Sequence, residues 1–196
     1  MIGHSSWASI RRRRNGNVRR EPPRGRPPRS VEAVRYEGYG PGGAAVLIEG
    51  LTSDRDRLGA QVRGTFAQHG GHLGAEGSVS YLFNTVGLMT FPAGVDQERL
   101  MQVALEAGAE DVLAGGDESV EVLADPLELE TVCAVLTHHG FAPATAEVTR
   151  RSTISLALSG APAERMVELL EALDGLEGVR NVYSNVEVPD EVLAGR

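Results

Sequence analysis

Residues 36–49 read Tyr36-Glu37-Gly38-Tyr39-Gly40-Pro41-Gly42-Gly43-Ala44-Ala45-Val46-Leu47-Ile48-Glu49. The sequence before this stretch is basic and proline-rich, and the sequence after it has the apolar periodicity of a folded, acidic body. Glycines 38, 40 and 43 fit the G-x-G-x-x-G spacing of a dinucleotide site. Such a loop must follow a strand and open a helix, so that helix N–H groups and the helix dipole meet the pyrophosphate. Here the glycines precede an apolar, β-branched run instead. The plainer reading is a tight glycine-dependent turn that delivers the chain into a buried strand, because glycine adopts backbone conformations other residues resist. Tyr36, Glu37 and Tyr39 are expected to form an exposed aromatic and acidic face. Glu37, Gly38, Tyr39, Gly40, Gly42 and Gly43 are therefore candidate surface residues of a functional motif.

Working outward, a length of 196 residues with 41% hydrophobic content can bury a sizeable core in one or two domains. The apolar runs fall short of the roughly 18 residues of a membrane helix, so no membrane contact is expected. The single cysteine, Cys133, rules out an internal disulfide framework and a CxxC zinc or redox motif. Its apolar helical position marks it as a small core hydrophobe.

The net charge of -8 conceals a division. Residues 1–30 hold nine arginines and one acid (9 - 1 = +8), and the other 166 hold ten arginines and 26 acids (10 - 26 = -16). The acidic part repels phosphate backbones, so nucleic-acid contact is expected in the basic arm or in local patches. Every basic residue is arginine, which suits bidentate phosphate contacts. Pro22, Pro23, Pro27 and Pro28 forbid a regular helix in the arm and predict a disordered, extended Arg/Pro-rich segment. The start is rich in arginine but lacks both the amphipathic pattern of a transit peptide and the apolar region of a secretion signal. A cytoplasmic protein is expected.

From Ala44 onward the periodicity predicts strands at 44–51, 78–83, 87–91, 111–114, 119–123, 144–148, 152–158 and 179–186, and helices at 54–69, 96–107, 126–139 and 161–173. Asp125 is the expected N-cap of the third helix, with proline at its first position. Residues 87–148 then spell βαββαβ, and the flanking pieces 44–83 and 152–186 each spell βαβ. The fold class that follows is α+β, with two ferredoxin-like βαββαβ domains, one inserted into the other. The expected organisation is a basic arm at 1–30, a discontinuous α/β domain at 31–85 plus 150–196, and an inserted domain at 86–149.

Several stretches together are similar to the motifs of one family. They are Gly3-His4-Ser5-Ser6-Trp7-Ala8, Tyr36 to Gly43, Glu49 with Asp54-Arg55-Asp56-Arg57, Gly70-Gly71-His72-Leu73-Gly74, Gly77 to Phe83, Glu106-Ala107-Gly108-Ala109-Glu110-Asp111 and Val182-Tyr183-Ser184-Asn185. In this order they resemble the YebC/PmpR family, whose mitochondrial relatives include a translational activator of cytochrome oxidase. The resemblance implies a helical bundle followed by two α/β domains, one interrupting the other, and a transcriptional regulator that binds DNA. Some members are ribosome-associated translation factors, and no catalytic activity is implied. The sequence departs from the pattern where the bundle belongs, since only the Arg/Pro stretch lies between Ala8 and Tyr36; it reads as a remnant of the helical domain. Ser6 replaces the family's lysine and His72 its asparagine.

His4, Trp7, Arg11, Arg12, Arg13, Arg14, Arg19 and Arg20 are the candidate nucleic-acid contacts. Arginines that neutralise phosphates release counterions, which gives salt-sensitive and sequence-tolerant binding, and Trp7 beside them is suited to stacking on a base. The alternative for the arginine run is a solvated tail that aids solubility. His69, His72, His138 and His139 lack metal-ligand spacing and read as residues at helix C-termini. No nucleophile elbow, Walker loop or shared carboxylate pair is present, so neither catalytic residues nor a cofactor nor a metal is expected. Three functions remain: a DNA-binding regulator, a ribosome-associated factor that binds RNA, and a module whose acidic body binds protein partners.

Overall fold

The computed structural model of the protein describes residues 30–115, 119–189 and 191–192, together with the backbone of 4–6. Trp7 and the arginines at 11, 12, 13, 14, 19 and 20 lie outside the described residues, as does the side chain of His4.

The chain divides into two compact units, one of residues 1–83 and 152–196 and one of residues 84–151. The interruption was expected at 86–149.

The first unit is built on a hairpin of β2 (Glu32–Tyr39) and β3 (Ala45–Thr52), paired antiparallel from Glu32↔Thr52 to Tyr39↔Ala45. This corrects the expected turn at 36–43, of which only the end is a turn. Gly40 N donates to Ala44 O at 2.8 Å and Gly43 N to Gly40 O at 3.0 Å. Gly42 and Gly43 both have left-handed φ, 72° and 81°, which favours glycine at these positions. The strand was hidden because glycine lowers β-propensity, yet Gly38 sits in it for a steric reason. A Cβ there would lie 2.8 Å from the Phe66 ring and 2.7 Å from His72 O.

Helix α1 (Arg55–Gln68) leaves β3 with Asp54 as its cap, whose Oδ1 accepts from Arg57 N at 3.0 Å. The chain returns in the short strand β4 (His72–Leu73), which pairs with β2, and β3, α1 and β4 thereby form a split βαβ around β2. Helix α4 (Gly160–Asp174) and strand β10 (Val179–Ser184) complete a sheet of order β10-β3-β2-β4. Both helices cover one face, where Val46, Ile48, Phe66, Met166, Leu170 and Val182 share one core.

The predicted strand 179–186 is broken at Asn185, whose Oδ1 accepts from Ala45 N at 2.8 Å. The chain turns there into β11 (Val186–Pro189), which lies between β9 (Leu156–Ala157) and β1 (His4–Ser6) in a small third sheet. The predicted strand 152–158 contributes only β9. The predicted strand 78–83 is instead a 3-10 turn at Ser80–Leu82, with a strand starting at Phe83. The short β9 shows that apolar alternation marks extended chain without saying how much of it has a neighbour to pair with.

The second unit runs β5 (Phe83–Phe91), α2 (Gln97–Glu106), β6 (Asp111–Ala114), β7 (Val120–Ala124), α3 (Leu129–His138) and β8 (Thr145–Ser152). Its sheet order is β6-β7-β5-β8, the ferredoxin-like order with the first and third strands central. Phe91, Leu100, Val122, Val132 and Leu136 form the core between the sheet and both helices. The third helix starts later than expected. Asp125 accepts from Leu127 N at 2.8 Å through Oδ1 and from Glu128 N at 3.0 Å through its backbone oxygen, so a turn precedes α3. On the opposite sheet face the buried Glu121 is held by Arg151 at 2.8 Å.

Both units are thus four-stranded antiparallel sheets with two helices on one face, a ferredoxin-like α+β layering. The strand order of the first differs from that of the second because a hairpin supplies its two inner strands. No helix among the described residues is long and apolar enough to cross a membrane. Because Phe66 is fully buried beneath Gly38, Phe66→Ala is expected to destabilise the protein by about 3–5 kcal/mol, measured by urea unfolding.

Candidate functional site

Alternation along β2 sends Val34, Tyr36 and Gly38 toward the helices and Glu37 and Tyr39 to the opposite sheet face. Glu37 is only 3% exposed. Its Oε1 accepts from Gly77 N at 3.0 Å, and its Oε2 accepts from Val79 N and Ser80 N at 2.8 Å each. Its backbone oxygen accepts from Gly74 N at 2.8 Å, and two residues on the Tyr39 hydroxyl donates to Ser78 O at 2.8 Å. One short piece of strand therefore grips the loop 74–80 at five points. The grip seats Val79 and Phe83 against Ala45 and Leu47, which closes the second face of this part of the sheet.

Burial pushes the Glu37 carboxyl up, but the N–H groups of Val79, Gly77 and Ser80 favour its charged form more strongly and hold it below the ordinary carboxylate range. A carboxylate held by three N–H donors and shut from solvent is out of reach of a substrate proton. Glu37 is a structural anchor, which corrects its expected place on the surface.

Tyr36 faces the other way, donating its hydroxyl to Arg55 O at 3.0 Å, and burial raises its pKa. The expected joint face of Tyr36, Glu37 and Tyr39 therefore does not exist. Among the glycines, a Cβ on Gly40 would collide with Met166 Sδ, and one on Gly42 would stand 2.6 Å from Leu158 Cδ2. Gly38 and Gly40 are thus contact points with α1 and α4, Gly42 packs on Leu158 ahead of α4, and only Gly43 has open space beside it.

The histidines are dispersed. The exposed His72 ring lies 5.5 Å from that of Tyr39, His69 Nδ1 is 2.9 Å from Thr65 O, and His138 and His139 meet edge to face at the end of α3. Cys133 is partly buried against the second core. Among the described residues no group of three or more His, Cys, Asp or Glu is placed to hold a metal. What inspection of the sequence missed is the partnership of Glu37 with residues 77–80, some 40 positions away. The available signal was a glutamate set between Tyr36 and Gly38, together with a distant loop of small residues whose N–H groups lacked ladder partners.

The chain is a hairpin-based α+β unit interrupted by a second α+β unit, with the glycine-rich motif of the first used for internal packing. The chain belongs to the TACO1/YebC family: residues 31–186 match the family model described as TACO1/YebC second and third domain. It is 48% identical over 165 residues to a probable transcriptional regulatory protein of Methylococcus capsulatus, covering 84% of this chain and 66% of that one. A probable transcriptional regulatory protein of Thioalkalivibrio sulfidiphilus is 47% identical over 164 residues with the same coverage. The crystal structure of a conserved hypothetical protein of Aquifex aeolicus superimposes with a TM-score of 0.74 at 37% identity, covering 91% of this chain and 70% of that one. The chain thus spans about two thirds of the length of these relatives.

Glu37→Gln replaces one acceptor oxygen with an amide that faces N–H groups, and is expected to cost about 2–4 kcal/mol in urea unfolding. The native carboxylate has a folded pKa below its unfolded value, so its contribution is fully present above pH 4.5 and is lost as the pH falls through the folded pKa. The variant is expected to lack this acid-labile component when unfolding is followed from pH 6 down to about pH 3.

Proposed function

We propose that this chain is a non-enzymatic, cytoplasmic regulator of gene expression that binds DNA through its basic segment. The observation that carries this reading is the 48% identity to a relative named a probable transcriptional regulatory protein. Charge supports it, because nine arginines in residues 1–30 precede a body of net -16 (10 - 26). A surface that acidic repels phosphates, so Arg11, Arg12, Arg13, Arg14, Arg19 and Arg20 supply the attraction, with Trp7 stacking on a base and His4 beside it. The body then offers its acidic face to protein partners.

Salt titration of binding to duplex DNA and to ribosomes tests this, using the intact chain and one with Arg11, Arg12, Arg13 and Arg14 all replaced by Gln. Each lost phosphate contact lowers the slope of log affinity against log salt by about 0.9. The intact chain is expected to bind DNA with a steep slope, and the substituted chain to bind at least about 100-fold more weakly at low salt with a slope smaller by about 3. Binding to ribosomes alone transfers the function to RNA. Absence of binding to both at low salt overturns the nucleic-acid reading.

A further inference from the structure

We propose that the outer edge of β6, together with the flank of α2 beside it, is a docking groove for an extended peptide whose alternate residues are apolar and whose ends are basic. The inference rests on the reading of the acidic body as a protein-binding surface, and it gives that surface a place and a partner chemistry.

β6 is the terminal strand of its sheet, with β7 on its inner side. Gly115 N donates to Ser119 O at 2.6 Å, and the register from Asp111↔Leu123 to Ala114↔Val120 carries this alternation back along the strand. The backbone of Leu113 therefore faces β7, and the backbone groups of Val112 and Ala114 point outward. Val112 N is covered by Asp111 Oδ1 at 2.8 Å. Val112 O and the N–H and oxygen of Ala114 have no partner among the described residues, so the edge offers two acceptors and one donor to an added strand.

An apolar helix flank lies beside this edge. Leu100, Val103 and Ala104 of α2 turn into the core, and Arg99 turns toward the α3 side, its guanidinium carbon 5.6 Å from the centre of the Phe141 ring. Helical spacing puts Met101 and Leu105 on the flank away from Arg99, and that flank overlooks β6, the last strand of the sheet, which α2 contacts. They are 45% and 52% exposed. In an antiparallel addition the residues opposite Ala114 and Val112 project to the face on which Val112 packs with the helices, and so fall against Met101 and Leu105. The rim selects charge. Residues 97–114 carry the exposed Glu98, Glu106, Glu110 and Asp111 against Arg99 alone (1 - 4 = -3), and that arginine is turned to the other flank. Basic ends on the peptide complement Glu98 and Glu110.

The test follows the fluorescence anisotropy of a labelled synthetic peptide, in which valine and threonine alternate between paired arginines, as the full chain is added. Saturable binding is expected below about 1 mM, an affinity suited to a short ladder. Proline is tolerated at a strand edge where its N–H would face solvent, so Ala114→Pro removes the donor with the fold retained, as checked by urea unfolding, and is expected to weaken binding at least about tenfold. A chain with both Met101→Gln and Leu105→Gln alters only exposed side chains and is expected to show the same loss. Exchanging the arginines of the peptide for glutamates is expected to lower the affinity at least about tenfold at about 0.05 M salt. Binding of duplex DNA is expected to be unchanged in both variants, which separates this groove from the basic segment. Absence of saturable peptide binding overturns the proposal. Full affinity in the chain with Met101→Gln and Leu105→Gln overturns it as well, because the acidic body would then hold the basic peptide at another place.

Discussion

A buried carboxylate that accepts three backbone N–H bonds holds the first unit of this protein together on the side its helices do not cover. An ionised group in an apolar interior is costly unless it is hydrogen-bonded, and here each oxygen accepts from the loop it must restrain. The geometry fixes Gly77, Val79 and Ser80 at once, and with them the plug formed by Val79 and Phe83 over Ala45 and Leu47. Phe83 is also the first residue of β5, the strand that leads into the second unit. The place at which one unit ends is therefore set by a side chain on the hairpin that begins it.

The same hairpin explains a glycine spacing that imitates a nucleotide loop. Gly38 lets α1 lie against β2, Gly40 admits the Met166 sulfur, and Gly43, like Gly42 before it, takes a left-handed φ in the turn. The first two are needed because two helices approach one backbone, and the third because the turn takes a left-handed φ there. Phosphate binding would have required a helix N-terminus after the glycines, and a strand whose first four residues are buried follows instead.

The two units handle charge differently. In the first, Arg35 and Glu49 pair across β2 and β3 at 3.6 Å while partly exposed, a contact of small worth. In the second, Glu121 is 6% exposed and its partner Arg151 lies at 2.8 Å, so removing the arginine would leave a buried charge short of its partner. A buried glutamate in each unit is thus structural.

Much of the architecture was legible before any coordinates. The helix starts at Asp54 and Asp96, the βαββαβ order of the second unit and the motif order that resembles the YebC/PmpR family all depend on local chemistry, namely caps, periodicity and short motifs. The break at Asn185, the short β9 and the burial of Glu37 did not show, because each depends on a partner far along the chain, and the strand over 32–39 was hidden by its glycine. Glycine-rich sequence next to tyrosine and glutamate looks like a surface turn until α1, α4 and the loop 74–80 are packed around it. Local preference can say where a chain bends or extends, but which groups are buried together is settled by long-range packing, and here that packing turned a motif with the appearance of a site into the internal brace of the fold.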